Sequence, residues 1–82
     1  MNFGKVNIEE ANKAIPRVFT KALPHGEIKK LKGKEYLTFK VEDNDNIYVI
    51  VEKDGFICVW DKQDQERIPP FFNIESIKGY KA

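Results

Sequence analysis

The sequence predicts an α+β fold in which an N-terminal amphipathic helix packs on an antiparallel β-meander of three to four strands. Apolar residues recur at helical spacing before residue 24, and short runs of β-branched and aromatic residues follow from residue 36. A Pro-aromatic C-terminal tail completes the chain. Because 82 residues leave room for one domain, we expect residues 1–82 to fold as a single domain.

The helix is predicted over residues 7–23. Its apolar side chains lie three and four positions apart, at Ile8, Ala11, Ile15, Val18, Phe19, Ala22 and Leu23. Asn7 and Glu10 have the spacing of a capping box, and Pro24 ends the pattern. Pro16 lacks an N–H group and clashes with the preceding turn, so we expect the helix to be kinked or split there.

Three strands are predicted at Tyr36–Glu42, Ile47–Lys53 and Phe56–Asp61, with Glu27–Leu31 as a shorter fourth that its charges disfavour. Asp54-Gly55 predicts a two-residue hairpin turn, because glycine tolerates a positive φ.

This turn sets the expected pairing, in which Val51 opposes Cys58 and Phe39 opposes Ile50. One face of the sheet then collects Leu37, Phe39, Val41, Tyr48, Ile50, Ile57 and Val59, and we expect the helix to cover it. The other collects Tyr36, Thr38, Lys40, Ile47, Val49, Val51, Phe56, Cys58 and Trp60. We expect residues 68–77, together with a protein partner or a second copy of the chain, to cover this other face, because large apolar patches are rarely left in water.

No motif in the sequence indicates a catalytic, metal or cofactor site. His25 lies between Pro24 and Gly26 in a predicted loop, and Cys58 lies within a strand, where it is expected to pack as a small hydrophobe. Asp43-x-Asp45 lacks the later glycine and glutamate of a calcium loop. The glycines are dispersed and Ser76 is the one serine. We therefore expect no enzyme activity, no metal and no cofactor.

Two sets of residues are candidate contact surfaces. An aromatic set is predicted to bind a protein partner and consists of Trp60, Phe56, Phe71, Phe72 and Tyr36. A basic set is predicted to contact anions or nucleic acid and consists of Lys21, Lys29, Lys30, Lys32 and Lys34. Glu27 and Glu35 flank the basic set, and lysines also protect exposed strand edges from mispairing, so a purely solvated edge is the competing interpretation.

The leading functional prediction is a small cytoplasmic protein-interaction module, such as an inhibitor, an adaptor or a self-associating domain. The alternative is a nucleic-acid-binding domain that uses the Lys29–Lys34 cluster. A single cysteine excludes an internal disulfide and favours a reducing compartment. No apolar run approaches the length of a membrane-spanning helix, so we expect no membrane association.

Overall fold

The computed structural model describes all 82 residues and shows an α+β fold with one α-helix and an antiparallel sheet. A two-stranded hairpin, β1 (Asn2–Phe3) and β2 (Val6–Asn7), precedes the helix α1 (Ile8–Val18). Five strands follow: β3 (Glu27–Leu31), β4 (Lys34–Val41), β5 (Asn44–Val51), β6 (Phe56–Asp61) and β7 (Glu66–Asn73). A 3₁₀ helix (Ile74–Ser76) ends the ordered elements. No helix is both long and apolar enough to cross a membrane.

The helix begins as its capping residues predict but ends earlier. The Asn7 side chain accepts a hydrogen bond from the Glu10 amide at 3.3 Å, which satisfies one of the unpaired donors of the first turn. Pro16 lies within a single helix that ends at Val18, so the predicted extension to residue 23 is wrong. The reason is that residues 21–23 pair with the end of β4 instead, through Leu23 N to Lys40 O and Glu42 N to Lys21 O.

The sheet is a five-stranded meander in the order β3-β4-β5-β6-β7, rather than the three to four strands predicted. The weakly favoured segment Glu27–Leu31 is a full edge strand. The predicted tail supplies the other edge as β7, which contains Pro69 and Pro70. Prolines fit an edge strand because they have no N–H to donate to a further neighbour.

The predicted register of β5 is wrong by one residue on both sides. Val51 pairs with Ile57 instead of Cys58, and Phe39 pairs with Val49 instead of Ile50. The β5–β6 loop holds three residues, because Glu52 N donates to Phe56 O at 2.8 Å outside residues 53–55. Gly55 closes this loop with φ +94°, the left-handed geometry expected of a three-residue hairpin.

The shift exchanges the two faces of β5, since side chains alternate along a strand. The face covered by α1, here called the first face, holds Leu37, Phe39, Val49, Val51 and Ile57 in one cluster with the helical residues Ala11, Ala14 and Ile15. The opposite face, here called the second face, holds a smaller buried cluster of Tyr36, Ile50, Cys58 and Trp60.

The C-terminal segment packs on the first face and not on the second, contrary to the prediction. Ile74 and Ile77 are buried in the large cluster, and Phe72 stacks on Phe19 with ring centroids 6.1 Å apart. Phe71 points to the other side, where it stacks on Phe56 and is 51% exposed. Successive side chains of a strand diverge, so the two phenylalanines have opposite environments.

This difference predicts unequal costs of truncation. Phe72→Ala should destabilise the protein by about 2–3 kcal/mol, somewhat below the range for a fully enclosed phenylalanine, because it removes a ring from the edge of the main core. Phe71→Ala should cost about 1 kcal/mol or less, since half of that ring is already in water. Urea unfolding of both variants measures the two values, and equal losses would contradict the assignment of the two rings.

Candidate ligand- and partner-binding surface

The second face is formed by alternate residues of β4, β5, β6 and β7. Tyr36 and Trp60 are 5% exposed, and their ring centroids lie 6.1 Å apart at a tilt of 37°. Ile50 and Cys58 beneath them have no exposed surface. The predicted contact residues Tyr36 and Trp60 therefore lie in a buried cluster and offer little ring surface for stacking with a ligand.

Glu52 is a carboxylate directly after β5, at the border of the second-face cluster, with a side chain only 11% exposed. Its Oε1 accepts a hydrogen bond from Lys34 Nζ at 2.6 Å, and its Oε2 accepts one from Arg67 Nη1 at 2.7 Å. These three residues, here called the Glu52 cluster, join β4 and β7 across the two strands between them. Burial of a carboxylate is tolerated only when both of its oxygens find such partners.

The same hydrogen bond controls the ionisation of Lys34. Bonding to Glu52 raises the pKa of the Lys34 ammonium above 10.5 and outweighs the opposing effect of desolvation. A raised pKa keeps this lysine charged throughout the neutral range. The ammonium also lies 5.6 Å from the centre of the Tyr36 ring, which adds a cation–π contact.

The aromatic set is divided between three places. Phe72 belongs to the main core, and Tyr36 and Trp60 belong to the second-face cluster. Phe56 and Phe71 form a stacked pair with ring centroids 6.1 Å apart and an angle of 10°. Of the five predicted residues, Phe71 is the one with a largely accessible ring.

The basic set is also divided. Lys29 lies 3.9 Å from Glu27, and Lys34 is bound to Glu52. Lys30 and Lys32 have no ion pair; Lys30 lies in β3 opposite Glu35, and Lys32 lies in the β3–β4 turn. Lys21 lies at the far end of β4, roughly 20 Å away along the strand, where its backbone oxygen accepts a hydrogen bond from Glu42 N.

Sequence reasoning missed Glu52, Arg67 and Lys62 as members of this surface. Glu52 and Arg67 form the charged cluster, and Lys62 places its ammonium 4.1 Å from the centre of the Tyr48 ring. The signal that could have found Glu52 was the alternation of Tyr48, Ile50 and Glu52, which places the three side chains on one face of the sheet. The predicted register assigned that alternation to the face under the helix.

Two depressions lie over the aromatic residues of the second face. The larger, of about 450 Å³, is lined by Leu31, Lys32, Lys34, Tyr36, Trp60 and Arg67, among others. The smaller, of about 260 Å³, shares Leu31, Lys32 and Trp60 with it and adds Lys30 and Lys62. Five cations therefore line the two depressions, together with the apolar side chains of Leu31, Tyr36, Tyr48 and Trp60.

The groups considered for catalysis lie elsewhere or are enclosed. His25 is exposed in the loop before β3. Cys58 is fully buried, and burial raises the pKa of its thiol from 9.0 to about 11. No three His, Cys, Asp or Glu side chains are grouped so that they could hold a metal ion.

A search of protein-family models, curated proteins and solved structures found no match to this chain.

The raised pKa of Cys58 predicts a pH-dependent stability. The folded protein keeps the thiol proton between pH 9 and about 11 while the unfolded chain loses it, so stability should fall as pH rises through this window. Urea unfolding at several pH values should show a steeper fall for the wild type than for Cys58→Ala. At pH 8 the native thiol should also react with a disulfide reagent about 100-fold more slowly than in urea. Parallel pH profiles, or a fast native reaction, would contradict a buried protonated thiol.

Proposed function

We propose that the chain is a small non-enzymatic module that binds a protein partner, with the Phe56–Phe71 pair as the anchor. The observation that carries the proposal is that Phe71 is 51% exposed while its ring stacks on Phe56. A ring held by a neighbour loses little conformational freedom on binding. Aromatic residues of this kind dominate the energy of protein interfaces.

The neighbours of the pair suit a mixed interface. Glu52 pairs with Phe56 through the backbone, so the Glu52 cluster lies beside the two rings. Arg67 is exposed and uses one of its five N–H donors within the chain. Arginine next to an aromatic anchor is a frequent combination in binding hot spots.

The two edges of the sheet favour contact through side chains over strand addition. The β3 edge carries Lys29 and Lys30, and the β7 edge carries Pro69 and Pro70. Charged residues and prolines both oppose pairing with another strand. We therefore propose that the partner docks on the second face near β7.

A different protein fits this surface better than a second copy of the chain. The large exposed apolar residues belong to five separate segments and are Met1, Val18, Leu23, Ile28 and Phe71. In a symmetric dimer the same patch meets itself, so each copy would supply one exposed phenylalanine, whereas a different protein can supply a larger apolar surface. The partner must then contribute most of the apolar surface itself.

We also propose that the protein is cytoplasmic, and this and its non-enzymatic character rest on the chemistry of His25 and Cys58. A general base needs an oriented partner, whereas His25 is exposed in a loop. A nucleophilic cysteine needs a low pKa, whereas that of Cys58 is raised. A lone buried thiol suits a reducing compartment.

Nucleic-acid binding remains the second candidate because Lys62 and Arg67 join Lys30 and Lys32 around the second-face depressions. If the chain binds nucleic acid there, its affinity for a single-stranded oligonucleotide should fall steeply as salt is added. A plot of log affinity against log salt concentration should have a slope whose magnitude is near the number of phosphate contacts. A gel-shift or anisotropy titration at several salt concentrations measures this slope. Absence of binding at low salt would eliminate the candidate.

Protein binding through the Phe56–Phe71 pair predicts that Phe71→Ala releases the partner. Ile28→Ala is the matched control, because Ile28 is 50% exposed but lies on the opposite edge strand. Affinity capture from the native host, with quantitative mass spectrometry, should show a partner that Phe71→Ala loses by about tenfold or more and Ile28→Ala retains. Equal capture by all three proteins would refute the proposed anchor. Light scattering that shows a concentration-dependent dimer abolished by Phe71→Ala would replace the partner with a second copy.

A further inference from the structure

The larger second-face depression combines fixed positive charge with an apolar floor. Lys32, Lys34 and Arg67 lie around it, while Leu31 and Trp60 form part of its base. It is an open depression with a volume of about 450 Å³. Lys32, Lys34 and Arg67 outnumber the two carboxylates next to them, Glu66 in the lining and Glu52 bonded to Lys34 and Arg67, so the net charge of the site is positive.

The buried Glu52 carboxylate holds two of these cations in place. It engages one N–H of Lys34 and one of Arg67, both below 2.8 Å, and it is itself 11% exposed. Lys34 has two further donors and Arg67 has four. Their side chains are 56% and 47% exposed, so these donors are accessible to a ligand without the loss of the Glu52 contacts.

Because Glu52 holds Lys34 and Arg67 in place before binding, these side chains lose less conformational entropy when an anion binds. A guanidinium offers paired N–H groups whose geometry matches the oxygens of a carboxylate or a phosphate. Lys32 adds a third charge that no carboxylate of the chain neutralises by an ion pair. An oxyanion between these three groups would therefore meet donors from two strands and one turn.

The apolar residues of the depression restrict which uncharged groups the ligand can carry. Leu31 and Trp60 are apolar, and Trp60 is nearly buried, so they fit a small hydrophobic body lying at the edge of the indole more than a stacked base. Two carboxylates lie next to the cations, Glu66 in the lining and Glu52 bonded to Lys34 and Arg67, and would repel a long chain of phosphates. A compact ligand with a single anionic group fits better than a polyanion.

We propose that this depression is a binding site for a small organic anion, in which an oxyanion contacts Arg67, Lys34 and Lys32 and an apolar group lies against Leu31 and Trp60. This site shares Arg67 with the proposed protein-binding surface, but its lining includes neither Phe56 nor Phe71. Its occupancy is measurable without any protein partner, so it stands or falls independently of the proposed protein binding.

Trp60 is the one tryptophan of the chain and lines the site, so its fluorescence reports occupancy directly. Titration with phenyl phosphate and with benzoate should give saturable changes. Neutral benzamide, which lacks the charge, and inorganic phosphate, which lacks the apolar group, should each bind about tenfold or more weakly. The indole N–H signal in NMR spectra should shift in the same titrations.

Variants that each remove one positive charge test where the anion binds. Arg67→Gln and Lys32→Gln should each weaken phenyl phosphate binding by about tenfold. Lys21→Gln removes the same charge at the far end of β4 and should change the affinity less than about twofold. Lys32 makes no ion pair and lies in an exposed turn, so its variant tests the site even if Arg67→Gln disturbs the fold. Benzamide binding equal to benzoate, equal losses in the Lys21 and Lys32 variants, or no saturable signal with any probe would overturn the proposal.

Discussion

The three-residue turn between β5 and β6 is the constraint on which the rest of the structure depends. Gly55 adopts a positive φ there, and a Cβ added to it would lie 3.0 Å from the Asn73 side chain. The turn fixes which side chains of β5 face the helix. Val49 and Val51 enter the main core for this reason, while Ile50 and Glu52 are placed on the opposite side with Cys58 and Phe56. A turn one residue shorter would direct Glu52 to the face that α1 covers, away from Lys34 and Arg67.

The sheet is consequently filled on both sides, but by different means. The first face is covered by other segments: α1, the N-terminal hairpin and the residues after β7. The second face is covered mainly by its own side chains, since Tyr36 and Trp60 enclose Ile50 and Cys58. A buried carboxylate with two cationic partners borders this smaller cluster. The arrangement leaves charge and apolar surface side by side on a face that no helix protects.

Local signals in the sequence were sufficient for the helix start and for the positions of most strands. Asn7 and Glu10 form the predicted cap, and Glu27–Leu31 forms a strand in spite of its charges, because an edge strand keeps lysines in water. The end of the helix could not be predicted from the sequence, because residues 21–23 continue the apolar spacing of the helix while their backbone forms hydrogen bonds with the end of β4. That choice depends on a strand some twenty residues later.

The candidate surface was less accessible to sequence reasoning, because it depends on register. Asp54-Gly55 suits both a two-residue and a three-residue loop, and a shift of one residue exchanges the faces of β5. With the wrong face, Glu52 had no visible partner, and Arg67 lay outside the three predicted strands. The separation of Phe71 from Phe72 follows from strand geometry, since successive side chains of a strand diverge. Which of them would be enclosed required the position of α1 and Phe19.

Both ends of the chain meet the turn that sets the register. Lys5 N donates to Lys53 O at 2.8 Å, Ile74 N donates to Gly55 O at 2.7 Å, and Asn7 N donates to the Tyr80 hydroxyl at 3.0 Å. Lys5 and Ile74, which are 69 residues apart, are thus coupled through one loop. Fraying of either terminus removes a backbone partner from that loop and loosens the anchorage of the other terminus. The ends of this small protein should then open as one cooperative unit in hydrogen exchange, although termini usually fray independently.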